Sequence, residues 1–284
     1  MPSPPHSIGT LTTLAIVWEV SAPKPGNVHR GADFEDVTYV DFIAGAVVIG
    51  PVVERVAELG IGRTVLDAVR ATRQVAQSNT NLGTLLLIVP LAASPAGAPL
   101  ASGIKSVLAT LTFDDTCNIY DAIRSAVAGG LGKREDADVS EPPPTDLRLV
   151  DAMKMAADRD LVARQYGNGF ADVVRIANWI EEGIRRGWSR DDAIVHAYVR
   201  QLAHEADSLI ARKCGPEVAQ QVQAMAGRVF DAGEPGDDAY HGGLDDFDFW
   251  LRSDGHRRNP GTTADLIAAA LFVLLREGRV NWGV

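Results

Sequence analysis

The sequence predicts an all-α protein. Three observations carry that expectation. Apolar residues recur at helical spacing along most of the chain, and prolines and glycines fall where helices would start and stop. The apolar run that could be a buried strand, Leu82 to Ala93, has no second run of similar type to pair with as a sheet.

Taken in order, Ile8 to Val20 places Leu11, Leu14, Ala15 and Trp18 on one helical face. Ser21 to Asp36, SAPKPGNVHRGADFED, is a loop. Thr38 then reads as the N-cap of a segment running to Leu59, with Phe42, Ala46, Ile49 and Val53 on one side. Pro51 should kink or split that segment. Arg63 to Ala76 is amphipathic, with Val65, Leu66, Val69 and Val75 inward, and a polar break, Gln77 to Asn81, leads into the apolar helix from Leu82. Ser94 to Gly103 reads as a loop and Asp114 to Val127 as a helix. Ala128 to Thr145, with Gly129-Gly130 and three consecutive prolines, reads as a linker. Helices are expected at Asp146 to Asp158, Phe170 to Arg186, Arg190 to Lys213 and Pro216 to Ala232, Pro216 suiting a first helical position. A loop at Gly233 to Gly243 and a short helix at Leu244 to Arg252 precede the last helix, Thr262 to Arg276, where Thr262 and Asp265 have capping-box spacing. The expectation is a single helical domain spanning 1–284, folded across the linker near 128–145.

The totals exclude some functions. With 27 basic against 37 acidic residues the net charge is −10, which argues against nucleic acid or an anionic membrane as the partner. An acidic chain that binds a polyphosphate needs a divalent cation between carboxylates and phosphates. Cys117 and Cys214 form neither a metal-ligand spacing nor a disulfide framework, as expected in a reducing cytosol. The start, MPSPPHSIG, lacks a basic region and an apolar core, and the longest apolar runs are too short to span a bilayer. A soluble, cytoplasmic protein is expected.

Four stretches carry candidate chemistry. In the first, Lys24 is fenced by two prolines, Pro25-Gly26 fits the centre of a type II turn, and His29, Arg30, Asp33, Glu35 and Asp36 follow. The reading is a rigid loop handling phosphate and metal, set against an ordinary polar surface loop. The second, His204 to Lys213, reads as the late part of one long helix, with Arg200, His204, Asp207 and Ala211 on one face. A His-Glu-x-x-His zinc spacing fails there because position 208 is serine. The third, Asn259-Pro260-Gly261-Thr262-Thr263-Ala264-Asp265, opens the last helix and offers an anion site; Asp265 either caps that helix or holds a cation. The fourth, Asn79-Thr80-Asn81 with Gly83 and Thr84, can cap a helix or bond a ribose or phosphate. Tyr166 to Phe170 reads as a helix–helix turn.

In this order, Lys24-Pro25-Gly26-Asn27-Val28 with Gly31 to Asp36, Asn79-Thr80-Asn81-x-Gly83, Asp207-Ser208-Leu209-Ile210-x-Arg212 and Asn259 to Leu266 resemble the triphosphoribosyl-dephospho-CoA synthase family over nearly the whole chain. The resemblance implies an all-α fold. It also implies transfer of a triphosphoribosyl group from ATP to dephospho-CoA, with adenine displaced and an α-glycosidic bond formed. The product is the prosthetic-group precursor of citrate and malonate lyase-type carrier proteins. Where the synthases usually have Asn-Thr-His-Lys-Gly, this chain has Asn79 to Gly83 without the cation, and Tyr166 to Phe170 stands near the place of a Gly-Ala-Arg-Gly-Glu segment. These departures look like the divergent branch found in methanogens and in bacteria with methanopterin-linked one-carbon metabolism.

On that resemblance the expected activity is a Mg²⁺-dependent pentosyl transfer from ATP or phosphoribosyl pyrophosphate to an alcohol. The acceptor is dephospho-CoA-like or the ribitol hydroxyl of a methanopterin precursor. Breaking a bond at ribose C1′ develops oxocarbenium charge that carboxylates stabilise. Asp36, Asp207 and Asp265 are the Mg²⁺ candidates, the first two also catalytic. Lys24, Arg212 and Lys213 would neutralise phosphate, with Gly26, Asn79, Asn81, Asn259 and Thr262 completing the binding set. Asp33, Glu35 or His29 would take the acceptor's proton. The competing readings are a Mg²⁺-dependent ribosyl-bond hydrolase and a non-catalytic nucleotide-binding or assembly subunit. A homodimer is compatible with all three.

Overall fold

The computed structural model describes residues 6–76, 81–95, 99–127 and 142–281, and among them it has helices α1 to α15 and no strand. α1 (Ile8–Ser21) starts where the Ser7 hydroxyl accepts from the Thr10 amide. It packs against α2 (Tyr39–Val53) through two glycines: a Cβ on Gly9 would lie 2.4 Å from the Gly50 carbonyl oxygen, and one on Gly50 would lie 2.3 Å from Thr13 Oγ1. Thr38 caps α2 in a full capping box with Asp41, as its sequence predicts. Pro51 lies in the last turn, and the chain splits there before α3 (Val56–Leu59).

α4 (Ile61–Thr72) ends earlier than expected, so Val75 falls outside it and is exposed rather than inward. α5 (Leu82–Ala92) settles the ambiguous apolar run as a helix, buried from Thr84 onward. α6 (Leu100–Thr110) corrects the loop expected at Ser94 to Gly103; Pro99, not a polar cap, precedes it. α7 (Phe113–Val127) matches its expected span. Most of the linker, residues 128–141, lies outside the described residues.

After α8 (Leu149–Ala156) comes a helix that the pattern did not disclose, α9 (Leu161–Asn168). Asp160 caps it, its carboxylate accepting from Val162 N at 2.9 Å and Ala163 N at 3.1 Å. The Tyr166 to Phe170 stretch is therefore a loop only at Gly169 and Phe170, both left-handed, leading into α10 (Ala171–Arg185). The long helix expected at Arg190 to Lys213 is two, α11 (Arg190–His204) and α12 (Ser208–Cys214), parted at 205–207. α13 (Pro216–Asp231) has proline in its first position as expected, and α14 (Asp238–Arg252) starts six residues before the predicted Leu244.

α15 (Gly261–Arg276) organises the molecule. Every residue from Leu266 to Leu275 is buried, and α1, α5, α9, α10, α11 and α12 all touch it. A helix apolar on all sides belongs at the centre of a bundle, and the others surround it. Its start sits beside the starts of α5 and α12 and the loop after α1.

Candidate active site

The opening loop forms the turn its sequence predicts. Asn27 N donates to the Lys24 carbonyl at 3.2 Å, with Pro25 and Gly26 in the centre and Gly26 at φ 70°. Only glycine fits here, since φ is positive and a Cβ would lie 2.6 Å from Leu251 Cδ1. The turn is pinned from outside: Gly26 N donates to Asp248 Oδ1 at 2.7 Å, Arg252 to the Asn27 carbonyl, and the Tyr198 hydroxyl to the Pro25 carbonyl at 3.0 Å.

Lys24 itself turns inward and is fully buried. Its ammonium lies 2.9 Å from Glu19 Oε1 and donates to the carbonyls of Glu19 and Ala22, which occupies its donors. The expectation that Lys24 contacts phosphate is therefore corrected: it neutralises a carboxylate inside the bundle. Burial raises the Glu19 pKa, and the Lys24 charge opposes that rise.

The break between α11 and α12 corrects a second reading. Asp207 does not share a helix face with Arg200 and His204; it is the N-cap of α12 and completely buried. Its Oδ1 accepts from Leu209 N at 2.9 Å and Ile210 N at 3.1 Å, and its Oδ2 from Thr263 N at 2.7 Å and Thr263 Oγ1 at 2.8 Å. One carboxylate thus satisfies donors at the starts of both α12 and α15. Burial pushes its pKa up, against the pull of those four donors. Arg164 holds Glu205, two residues before Asp207, by a two-pronged ion pair, and also bonds Asp172.

At the start of α15, Pro260 is the N-cap and Thr262 lies inside the first turn, so the Thr262–Asp265 capping box does not form. Thr262 Oγ1 accepts from Ser208 Oγ at 3.1 Å instead, tying α15 to α12. Asp265 Oδ1 accepts from Thr84 Oγ1 at 2.7 Å, and a Cβ on Gly83 would lie 2.0 Å from Asp265 Oδ2, so only glycine lets this carboxyl sit against α5. Asn81 is buried at the N-cap of α5; Asn79 lies outside the described residues. Asn259 carries a buried Oδ1 with no hydrogen-bond partner among the described residues.

Above this centre is a polar rim. Asp36 Oδ1 meets His256 Nδ1 at 3.1 Å, Phe34 packs edge-on against the His256 ring, and Arg252 lies over Phe34. Cys214 Sγ donates to the Arg257 carbonyl, which brings the end of α12 to the same place. Lys213 feels the Asp36 charge, yet burial and Arg212 lower its pKa, and among the described residues no carboxylate pairs with it. Arg212 lies 3.7 Å from Asp160. Asp33 Oδ1 accepts from Tyr39 N at 2.6 Å, His29 Nδ1 accepts from Gly31 N at 3.2 Å, and Glu35 is exposed.

Asp36, Asp207 and Asp265 do not come together as a metal centre. Asp36 is exposed on the rim, Asp207 uses both oxygens on four donors, and among the described residues no three side chains of His, Cys, Asp or Glu could share an ion. No step is routed through a protein-held metal.

The ATP:dephospho-CoA triphosphoribosyl transferase (CitG) family model matches residues 5–283. The chain belongs to that family. A crystal structure from Archaeoglobus fulgidus, provisionally described as a triphosphoribosyl-dephospho-CoA synthase, is similar at a TM-score of 0.62 and 26% identity, over 83% of this chain and 99% of that one. No curated protein matches. Members of the triphosphoribosyl transferase family are transferases, and the all-α fold is as expected. Among the described residues no helix is long and apolar enough to cross a membrane.

In this triphosphoribosyl transferase fold three of the four motifs meet, through Thr84–Asp265, Asp207–Thr263 and Ser208–Thr262, with Glu19 and Asp207 close enough to raise the Asp265 pKa by their charge, while the opening loop joins through Asp36 and His256 at the rim. Glu19, Arg252 and His256 were not singled out by the sequence. A signal existed for the last two: RSDGHRR, just before Asn259, concentrates cations in an acidic chain.

Asp265 retains part of its surface toward solvent, but enclosure by the helices pushes its pKa up to about 8. The unfolded carboxyl ionises near ~4. The folded chain therefore holds an extra proton between those values, and stability falls as pH rises through that window. Asp265→Asn, which mimics the protonated form, is expected to flatten this slope while abolishing transfer. Thermal melts between about pH 5 and pH 8 check this; equal slopes in the two proteins would contradict it.

Proposed function

We propose that this protein moves a triphosphoribosyl group from ATP to an alcohol, breaking the bond from ribose C1′ to adenine, with dephospho-CoA as the acceptor the family points to. The observation that supports this most is the convergence of the end of α1 and the starts of α5 and α12 on one partly open carboxyl, Asp265, at the start of α15. In the resting protein its ionisation is disfavoured by burial and by the nearby Glu19 and Asp207 charges. Positive charge developing at C1′ would reverse that cost, so the carboxylate would be stabilised more in the transition state than before it.

Lys213 and Arg212 are the proposed phosphate contacts. Lys213 is partly enclosed beside another cation, and burial and Arg212 outweigh the Asp36 charge, a penalty that an anion would relieve. Asn81, Asn259 and Thr262 are proposed to bond the sugar and phosphates, Asn259 with an acceptor oxygen still to be satisfied. Magnesium enters this reading only as the counter-ion brought with the triphosphate.

The test is product identification by mass spectrometry. Purified protein, ATP and Mg²⁺ are offered dephospho-CoA or a methanopterin precursor carrying a ribitol hydroxyl, with phosphoribosyl pyrophosphate as the alternative donor. The expected result is free adenine in equal amount with triphosphoribosyl-dephospho-CoA. Adenine or ADP-ribose released by water alone would favour a hydrolase, and no turnover with any donor and acceptor would overturn the proposal.

A further inference from the structure

We propose that His256 is the base that takes the proton of the acceptor hydroxyl, with Asp36 as its positioning residue; this rests on the transfer reading above. Asp33 and His29 each accept a backbone amide close in sequence, which commits them to holding the loop. His256 is differently placed. Its Nδ1 lies 3.1 Å from Asp36 Oδ1, and the nearby negative charge favours a hydrogen on Nδ1 over one on Nε2. Nε2 then carries the lone pair, and among the described residues nothing bonds it. The side chains of His256 and Asp36 are 43% and 58% exposed, so the pair is open to the rim. Phe34 packs edge-on at 5.6 Å and limits the ring's rotation, and the His256 carbonyl accepts from Asn259 N at 3.2 Å, fixing the backbone to the start of the Asn259 to Asp265 motif.

The acceptor hydroxyl gives its proton to His256 Nε2 as its oxygen bonds ribose C1′. The electron pair of the C1′–N bond leaves with adenine, which takes up a proton from solvent, and His256 returns its own to solvent. Asp36 stays ionised and holds the ring while it is charged.

The test follows adenine release with ATP and dephospho-CoA. His256→Ala is expected to lower kcat by about 10²–10⁴-fold, with KM for ATP and the melting midpoint unchanged, and added imidazole should restore part of the rate. Asp36→Asn should lower kcat less, also at constant KM. If the native protein releases no adenine, the transfer reading falls and takes this assignment with it. If the native protein turns over and folded His256→Ala keeps its kcat, or loses it without any imidazole rescue, only the assignment of the base is overturned.

Discussion

Lys24→Met is expected to destabilise the protein by about 3–5 kcal/mol, the cost of leaving one partner of a buried ion pair without the other. The Glu19 carboxylate and the Lys24 ammonium, 2.9 Å apart, are both shut off from water. Glu19 Oε1 has no other partner, so it must either remain charged and alone or take up a proton. Adding Glu19→Gln should recover most of the loss, because removing both charges of a buried pair is far cheaper than removing one. Denaturant unfolding of the two single variants and the double variant closes this cycle. The result also separates two roles for Lys24. A phosphate contact would raise the KM for ATP at little cost in stability, whereas the buried pair predicts the reverse order of effects.

Asp207→Ala should cost a similar ~3–5 kcal/mol, since it removes a helix cap and strands several buried donors. Leu209 N, Ile210 N, Thr263 N and the Thr263 hydroxyl all lose their acceptor, and the starts of α12 and α15 lose the link that sets their spacing. Asp207→Asn should fall between the two, because its carbonyl oxygen can still accept while its amide faces donors. For a protein of this size each kcal/mol shifts the melting midpoint by roughly 2–4 °C, so Asp207→Ala should melt roughly 10 °C low. A variant that is inactive yet melts like the native protein would assign Asp207 to substrate or metal rather than to the junction.

What the sequence disclosed was local chemistry. The Thr38 capping box, the split at Pro51, Pro216 at a helix start and the Pro25-Gly26 turn each depend on a few neighbouring residues, and each is where it was expected. What it concealed depends on residues far apart. The spacing of Leu202, Ala206, Leu209 and Ile210 runs helically across the α11–α12 break. The break exists because Asp207 reaches Thr263, 56 positions away, and Arg164 clamps Glu205, 41 positions away. α9 is short and ends in two left-handed residues, so it read as a turn. Lys24 looked like a phosphate ligand because its prolines are visible in the sequence, while the buried Glu19 waiting for it is not. The ordered motifs made the family legible, because they mark helix starts that the fold gathers around α15. The trio of metal carboxylates was not legible: a shared site requires distances, and Asp36 lies on the rim while Asp207 is sealed between two helices.

On the transfer reading, the opening loop and the starts of α5, α12 and α15 form one nucleotide site. A crystal structure of the protein with ATP tests it most directly. The expected structure has ribose C1′ beside Asp265, phosphates toward Lys213 and Arg212, and the acceptor side of the ribose open to His256. ATP bound elsewhere, such as in the groove between α1 and α2 lined by Leu14, Val17 and Val47, would contradict it.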